Sequence, residues 1–250
     1  MIVLVSASLA VYLLMLLAWL LRGVAPGLVD TLSSVLVLPA LPAEALVCPW
    51  TPLTYMFTHI SFIHLLVNML WLIGSGAMLK GGARTLAAVY FAGGLAGAGA
   101  FWIYNTLCGN SISTLAGASA AVIAVVVASA ILSPRRKVNL LFLTNVEIRY
   151  IAPVALLTLF VSIGNFGADT CAHLGGLIAG LVAGAVLHIR YSLMSDRAMA
   201  KALEVTRRRI LLDKASTSGF ASLSVSERSE LFEVSRQDIA LSVGKNRKQR

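Results

Sequence analysis

Long apolar runs, each broken by few polar residues, fill the first three quarters of the chain. Six of them reach or approach the roughly 20 residues that an α-helix needs to cross a hydrocarbon core. They cover about 3–21, 58–79, 85–107, 115–133, 151–166 and 168–189. Lipid offers no hydrogen-bond partners to the backbone, so each run is expected to be helical. Five polar side chains interrupt these runs or sit at their mouths: His59, His64, Asn68, Ser119 and His173. Polar groups at such depth are costly, and they usually face one another or a water-filled cavity.

Composition agrees with this pattern. The chain is 58% hydrophobic and only 12% charged, which excludes an ordinary soluble domain. The expected class is an all-α membrane protein, a six-transmembrane-helix bundle over residues 1–190, followed by a basic tail, 191–250. The first run differs from a signal peptide, because Met1-Ile2-Val3-Leu4 carries no basic residue and no small-x-small site precedes Arg22. It is read as a retained helix. Of the 20 Lys and Arg, only Arg22 would lie on one side of the membrane; Lys80, Arg84, Arg135, Arg136, Lys137, Arg149 and those from Arg190 onwards would lie on the other. The positive-inside rule makes that second side cytoplasmic, with both termini inside. The net charge of +9 is thus an orientation signal. Nucleic acid is not an expected partner, since no aromatic stacking pattern accompanies the basic residues of the tail.

Residues 22–57 form a long outer segment between the first two runs, punctuated by Pro26, Pro39, Pro42, Pro49 and Pro52, with Val29 to Leu38 apolar enough to lie in the interface. Gly93 and Gly97 make a G-x-x-x-G in the third run, Ala120, Ala124 and Ala128 recur at helical spacing in the fourth, and Gly176, Gly180 and Gly184 in the sixth. Such ladders permit close helix contact. In the tail, 197–212 reads as a basic helix and Ser216-Thr217-Ser218-Gly219-Phe220 as a turn. Ser224-Val225-Ser226-Glu227 reads as a capping box opening a second helix with Leu231, Phe232 and Val234 as its apolar stripe. Residues 244–250 are expected to be disordered. Cys48, Cys108 and Cys171 fall near the outer face; they read as small apolar side chains, with a Cys48–Cys108 or Cys108–Cys171 bridge as the oxidised alternative.

Topology adds what no single residue supplies. Runs two, four and six all start on the outer side, so the five polar groups come to similar shallow depths at one end of three helices. His64 and Asn68 are four apart and share a helix face. Both can donate hydrogen bonds to a developing oxyanion, as can the backbone N–H of Ser119 near a helix start. His173 can act as base towards the Ser119 hydroxyl and then as acid to a leaving amine. His59 stands about 140° round an ideal helix from His64 and is expected to support the loop by hydrogen bonding. Asp169, four before His173, reads as a charge at a helix N-terminus. His188 and Arg190 read as interface anchors.

These residues resemble the rhomboid intramembrane serine proteases. Phe57-Thr58-His59, His64 and Asn68 are similar to that family's F-T-H-x-x-x-x-H-x-x-x-N segment. Gly117-Ala118-Ser119 is similar to its G-x-S-G motif, and Ala172-His173-x-x-Gly176-x-x-x-Gly180 to its A-H-x-x-G-x-x-x-G helix. The resemblance implies a catalytic dyad of Ser119 and His173, without a cofactor or metal. It implies an oxyanion site from His64, Asn68 and the Ser119 N–H, with Gly117 and Gly176 as structural support. The implied substrates are single-span membrane proteins cut near the outer face, and the implied location is a bacterial inner membrane. Two positions depart from the pattern: Ala120 replaces the glycine after the serine, and Ile123 stands where many members carry a tyrosine one turn later.

Three other readings stay open on sequence. A catalytically inactive relative of the same fold would bind membrane clients without cutting them, and Ala120 and Ile123 favour it. A metal or haem protein could use the three histidines, but no H-E-x-x-H is present and no carboxylate accompanies them at that depth. A transporter is disfavoured by the lack of an evident inverted repeat.

Overall fold

The computed structural model describes residues 1–140, 143–161 and 167–232. The expected end of the fifth run (162–166), Val234 and the expected disorder of 244–250 lie outside the described residues. Nine α-helices occur among those described: α1 (Ile2–Leu20), α2 (Leu28–Leu36), α3 (Thr51–Thr54), α4 (Phe62–Gly76), α5 (Gly82–Cys108), α6 (Ser119–Leu132), α7 (Ile148–Val161), α8 (Ala168–Ser218) and α9 (225–232). Two small antiparallel pairs join them. β1 (Leu38–Pro39) pairs with β2 (Thr114–Leu115), and β3 (Lys137–Leu140) with β4 (Leu143–Glu147). The chain divides into two compact units, Met1–Ile189 and a second that begins at Arg190.

Among the described residues three helices are long and apolar enough to cross a membrane: Ile2–Gly23, Gly82–Cys108 and Ala168–Ser218. α1 buries only Leu4, Ser8 and Ala18, leaving Val3, Leu13, Leu17 and Leu20 exposed. A helix that displays leucines on most of its surface is solvated by lipid rather than water.

The second run is not one helix. Thr51–Phe57 and Phe62–Gly76 are bent by 95° at a break between them. Thr58 is extended, and Ser61 caps α4 by accepting the His64 N–H at 3.2 Å. A serine in the extended conformation three residues before a donor restarts the helix, so its first turn begins at Phe62. The run expected at 58–79 therefore opens with a kink, and His59 lies in that kink rather than on α4.

α6 lies at the centre of the first unit. All residues from Ser119 to Ser129 are buried, as expected for a helix apolar on every side and packed on every side. It packs against α4, α5 and α7. Its 14 residues span about 21 Å at about 1.5 Å per residue, short of a hydrocarbon core of about 30 Å. The loop 109–118 leads into Ser119.

Small residues set how closely these helices approach. A Cβ placed on Gly93 would lie 2.3 Å from Ala124 Cβ, and one on Gly97 2.5 Å from Ala120 Cβ. On α8, a Cβ on Gly176 would lie 2.2 Å from the Ala120 carbonyl oxygen, and one on Gly180 2.8 Å from Ala124 Cα. α6 thus sends its methyls into notches on α5 and lays its backbone on α8. Hydroxyls add cross-helix bonds to backbone carbonyls: Tyr55 to Gly94 (2.6 Å), Tyr90 to Met56 (3.2 Å) and Ser129 to Ser75 (2.9 Å).

The long segment between α1 and α4 is fixed to the helices by polar anchors. Trp50 Nε1 donates to the Val35 carbonyl (2.8 Å), Trp102 Nε1 to Pro39 (3.0 Å) and Asn105 Nδ2 to Ala40 (3.3 Å). The β1–β2 pairing of Leu38 with Leu115 ties the same segment to the loop that leads into Ser119.

In the second unit, α8 runs through Ser218 and the turn starts only at Gly219, whose φ is +79°. Ser216 and Thr217, expected in the turn, belong to the last helical turn, where their hydroxyls donate back to the Asp213 carbonyl. The capping box forms reciprocally: Ser224 N–H donates to Glu227 Oε2 (2.7 Å) and Glu227 N–H to Ser224 Oγ (3.2 Å). Arg207–Glu230 and Lys214–Glu227 ion pairs (2.7 and 2.9 Å) tie α8 to α9.

Candidate active site

Ser119 is the first residue of α6 and His173 lies in the second turn of α8. Ser119 Oγ and His173 Nε2 are 2.5 Å apart, and each residue is only 6% exposed. A hydroxyl and an imidazole nitrogen at this separation are hydrogen-bonded. The geometry arises from the helices, because Gly176 lets the α8 backbone close on Ala120, next to the serine, and His173 is less than one turn from Gly176. The N–H groups of Ser119, Ala120 and Ala121 open the helix and have no acceptors within it. A carbonyl oxygen beside Ser119 would meet donors there.

The loop before Ser119 is held from the α4 side. Gly117 has φ +124°, a region that L side chains rarely adopt. A Cβ there would also lie 2.5 Å from His64 Cε1 and 3.1 Å from His64 Nε2. The absent side chain thus lets the His64 ring reach the backbone two residues from Ser119. Gly117 N–H donates to the Tyr55 carbonyl (2.9 Å). Asn68 is fully buried, and its Nδ2 donates to the His64 carbonyl (2.9 Å). One Nδ2 hydrogen remains for another acceptor. Asn68 Oδ1 has no hydrogen-bond partner among the described residues.

His59 accepts the Ala118 N–H at Nε2 (3.4 Å), and its Nδ1 lies 3.2 Å from the Phe57 carbonyl. An N–H can only donate, so Nε2 is the acceptor and the ring proton sits on Nδ1, where it meets the carbonyl. The ring joins the α3–α4 kink to the serine loop. It also stands edge-on to His64, with centroids 5.2 Å apart. The 140° separation expected on a continuous helix does not apply, because the break at 58–61 brings the two rings together.

The structure therefore gathers His59, His64, Gly117, Ser119, His173 and Gly176 around one point, with Asn68 one turn along α4 from His64. Tyr55 was not among the residues singled out from sequence. Its hydroxyl and its carbonyl hold Gly94 and Gly117 respectively, and an aromatic shortly before Phe57-Thr58-His59 carried no signal of either bond. Gly97 was read as half of a packing motif; its nearness to both Ala120 and Ala172 could come only from coordinates. Cys48, Cys108 and Cys171 are free thiols, and neither bridge is formed.

A bundle of apolar helices with a serine and a histidine in hydrogen-bond contact at its core defines a class, the multi-pass membrane proteins with a buried Ser–His pair. The family model for the Rhomboid domain matches residues 48–190, and the chain belongs to the rhomboid family. No curated protein matches the chain.

Proposed function

We propose that this protein is an intramembrane serine protease. Ser119 is the nucleophile and His173 the general base. The observation that carries this reading is the 2.5 Å contact between Ser119 Oγ and His173 Nε2 inside the packed helices. The neutral imidazole takes the hydroxyl proton at Nε2 as Oγ bonds to the scissile carbonyl carbon. The oxyanion is met by the Ser119 N–H, by the second Nδ2 hydrogen of Asn68 and by His64. His173 returns the proton to the leaving amine, and a water then repeats the sequence on the acyl-enzyme.

The substrates are single-span membrane proteins, cut near the outer face, where the loops meet the starts of α4, α6 and α8. The first unit spans the membrane six times, with both termini in the cytoplasm of a bacterial cell and the membrane being the inner one. The charge distribution and the apolar helices support this arrangement. The Ala120 methyl meets Gly97 of α5, which has no side chain in its way, and this weighs against the inactive alternative that the motif departure raised.

A fluorophosphonate probe should label the purified protein and fail to label Ser119→Ala or His173→Ala. Equal labelling of Ser119→Ala would refute the nucleophile, and a folded but unlabelled wild type would favour the client-binding relative. His64→Ala and Asn68→Ala should each slow cleavage of a transmembrane peptide by about 10²-fold, the usual loss for one oxyanion donor.

A further inference from the structure

Gly97 of α5 stands where three parts of the site converge. A Cβ there would lie 2.5 Å from Ala120 Cβ, 3.0 Å from the Ala172 carbonyl oxygen and 3.3 Å from the Tyr55 hydroxyl. Ala120 follows the serine in sequence, Ala172 precedes the histidine, and Tyr55 anchors the loop through Gly117. A methyl at position 97 would press on the neighbours of both Ser119 and His173 at once. From α8, Gly176 receives the Ala120 backbone, where a Cβ would come within 2.2 Å of the carbonyl oxygen and 2.8 Å of Cα. The two glycines therefore divide the work: Gly176 admits the Ala120 backbone, and Gly97 admits its methyl.

We propose that Gly97 is a positioning residue, whose missing side chain seats the Ala120 methyl and so sets the distance between Ser119 and His173. This rests on the dyad reading above and accounts for how the chain carries an alanine after its serine. An alanine at 97 collides first with the Ala120 methyl, and a glycine at 120 removes that closest of its three contacts.

The test is a double-mutant cycle on wild type, Gly97→Ala, Ala120→Gly and the double variant, read by fluorophosphonate labelling of Ser119 and by thermal melting in detergent. Gly97→Ala should lower the melting temperature and slow the limiting rate of labelling about tenfold or more, with probe affinity little changed. Full loss of general-base assistance is worth about 10²–10⁴-fold. The double variant should recover labelling to within about threefold of Ala120→Gly; the Ala172 and Tyr55 contacts remain tight, so wild-type behaviour is not expected. Wild-type labelling by Gly97→Ala overturns the proposal, as does a double variant no faster than Gly97→Ala. Recovery of melting without recovery of labelling shows a packing contact with no positioning role. If Gly97→Ala does not fold, the double variant decides: the proposal expects it to fold and label, and its failure beside a folded Ala120→Gly overturns it. A wild type that takes no label overturns the dyad and the positioning role together, while the melting cycle still reports the contact.

Discussion

Adding one methyl group at Gly176 should separate the serine from the histidine. A Cβ at this position lies 2.2 Å from the Ala120 carbonyl oxygen, whereas ordinary contact begins at 3.4 Å, so relief requires a movement of about 1.2 Å. The obstacle is backbone on both sides and cannot swing away as a side chain would. If α8 retreats as a unit, Ser119 Oγ and His173 Nε2 go from 2.5 Å to about 3.7 Å, beyond a hydrogen bond. The limiting labelling rate should fall about 10²-fold or more, and overpacking should cost about 1–3 kcal/mol of stability. The same ladder supplies internal controls. At Gly180 the nearest atoms are Ala124 Cα and its carbonyl oxygen, both at 2.8 Å, one turn further from the dyad, so the movement needed is about half as large. At Gly184 the nearest atom is Ile131 Cδ1 at 2.7 Å, the mobile end of a side chain that can yield. Labelling with a fluorophosphonate, on variants shown to be folded by melting, should therefore be impaired in the order Gly176→Ala, Gly180→Ala, Gly184→Ala. Equal impairment by all three, or a wild-type rate for Gly176→Ala, would refute the account of how α8 positions the base.

Gly117→Ala should abolish most labelling, because it combines φ +124° with a 2.5 Å encounter with His64, whereas Gly109→Ala, at φ +63° with nothing within 4 Å, should cost only backbone strain and leave the rate near wild type. His59→Phe strands the buried Ala118 N–H and should destabilise the protein by about 1–3 kcal/mol as read by melting; His59→Gln, which can still accept, should recover part of that loss, and no difference between the two would argue against the bridge. In the tail, the Ser224 backbone N–H, the Lys214 ammonium and the Ser224 hydroxyl hold the Glu227 carboxyl at about 2 against an ordinary 4.5. A folded value below the unfolded one stabilises above about pH 4.5 and loses that contribution as the pH falls through about 2. The Lys214–Glu227 contact, followed by NMR, should persist at pH 5 and disappear towards pH 2, with Glu227→Gln insensitive over that range.

The sequence located these groups better than it located the chain between them. Helix starts near 2, 82 and 168 were legible because apolar runs and their polar ends report lipid contact directly, and the capping box at Ser224 was legible because its chemistry is local; the fourth run, expected from about 115, becomes helical only at Ser119, because Thr114 and Leu115 pair with Pro39 and Leu38. The kink at 58–61 was not, since one residue, Ser61, restarts a helix inside an otherwise continuous run. That kink explains why His59 reaches both His64 and the serine loop, a convergence that helical periodicity excludes. The bearing of Ala120 on the site was illegible for a different reason. A motif records that a methyl has replaced a hydrogen beside Ser119, but the consequence depends on the direction in which the methyl points. Directed at α8, it would collide with the backbone near His173; directed at α5, it meets Gly97, which has no side chain to displace. Those directions differ only by the rotation of α6 about its axis. That rotation is set by several contacts remote in sequence, among them Ala124 against Gly93 and Ser129 against Ser75. The departure from the family pattern at position 120 is therefore compensated by a glycine 23 residues earlier, on another helix. The tolerance of that site belongs to the pair and not to either residue.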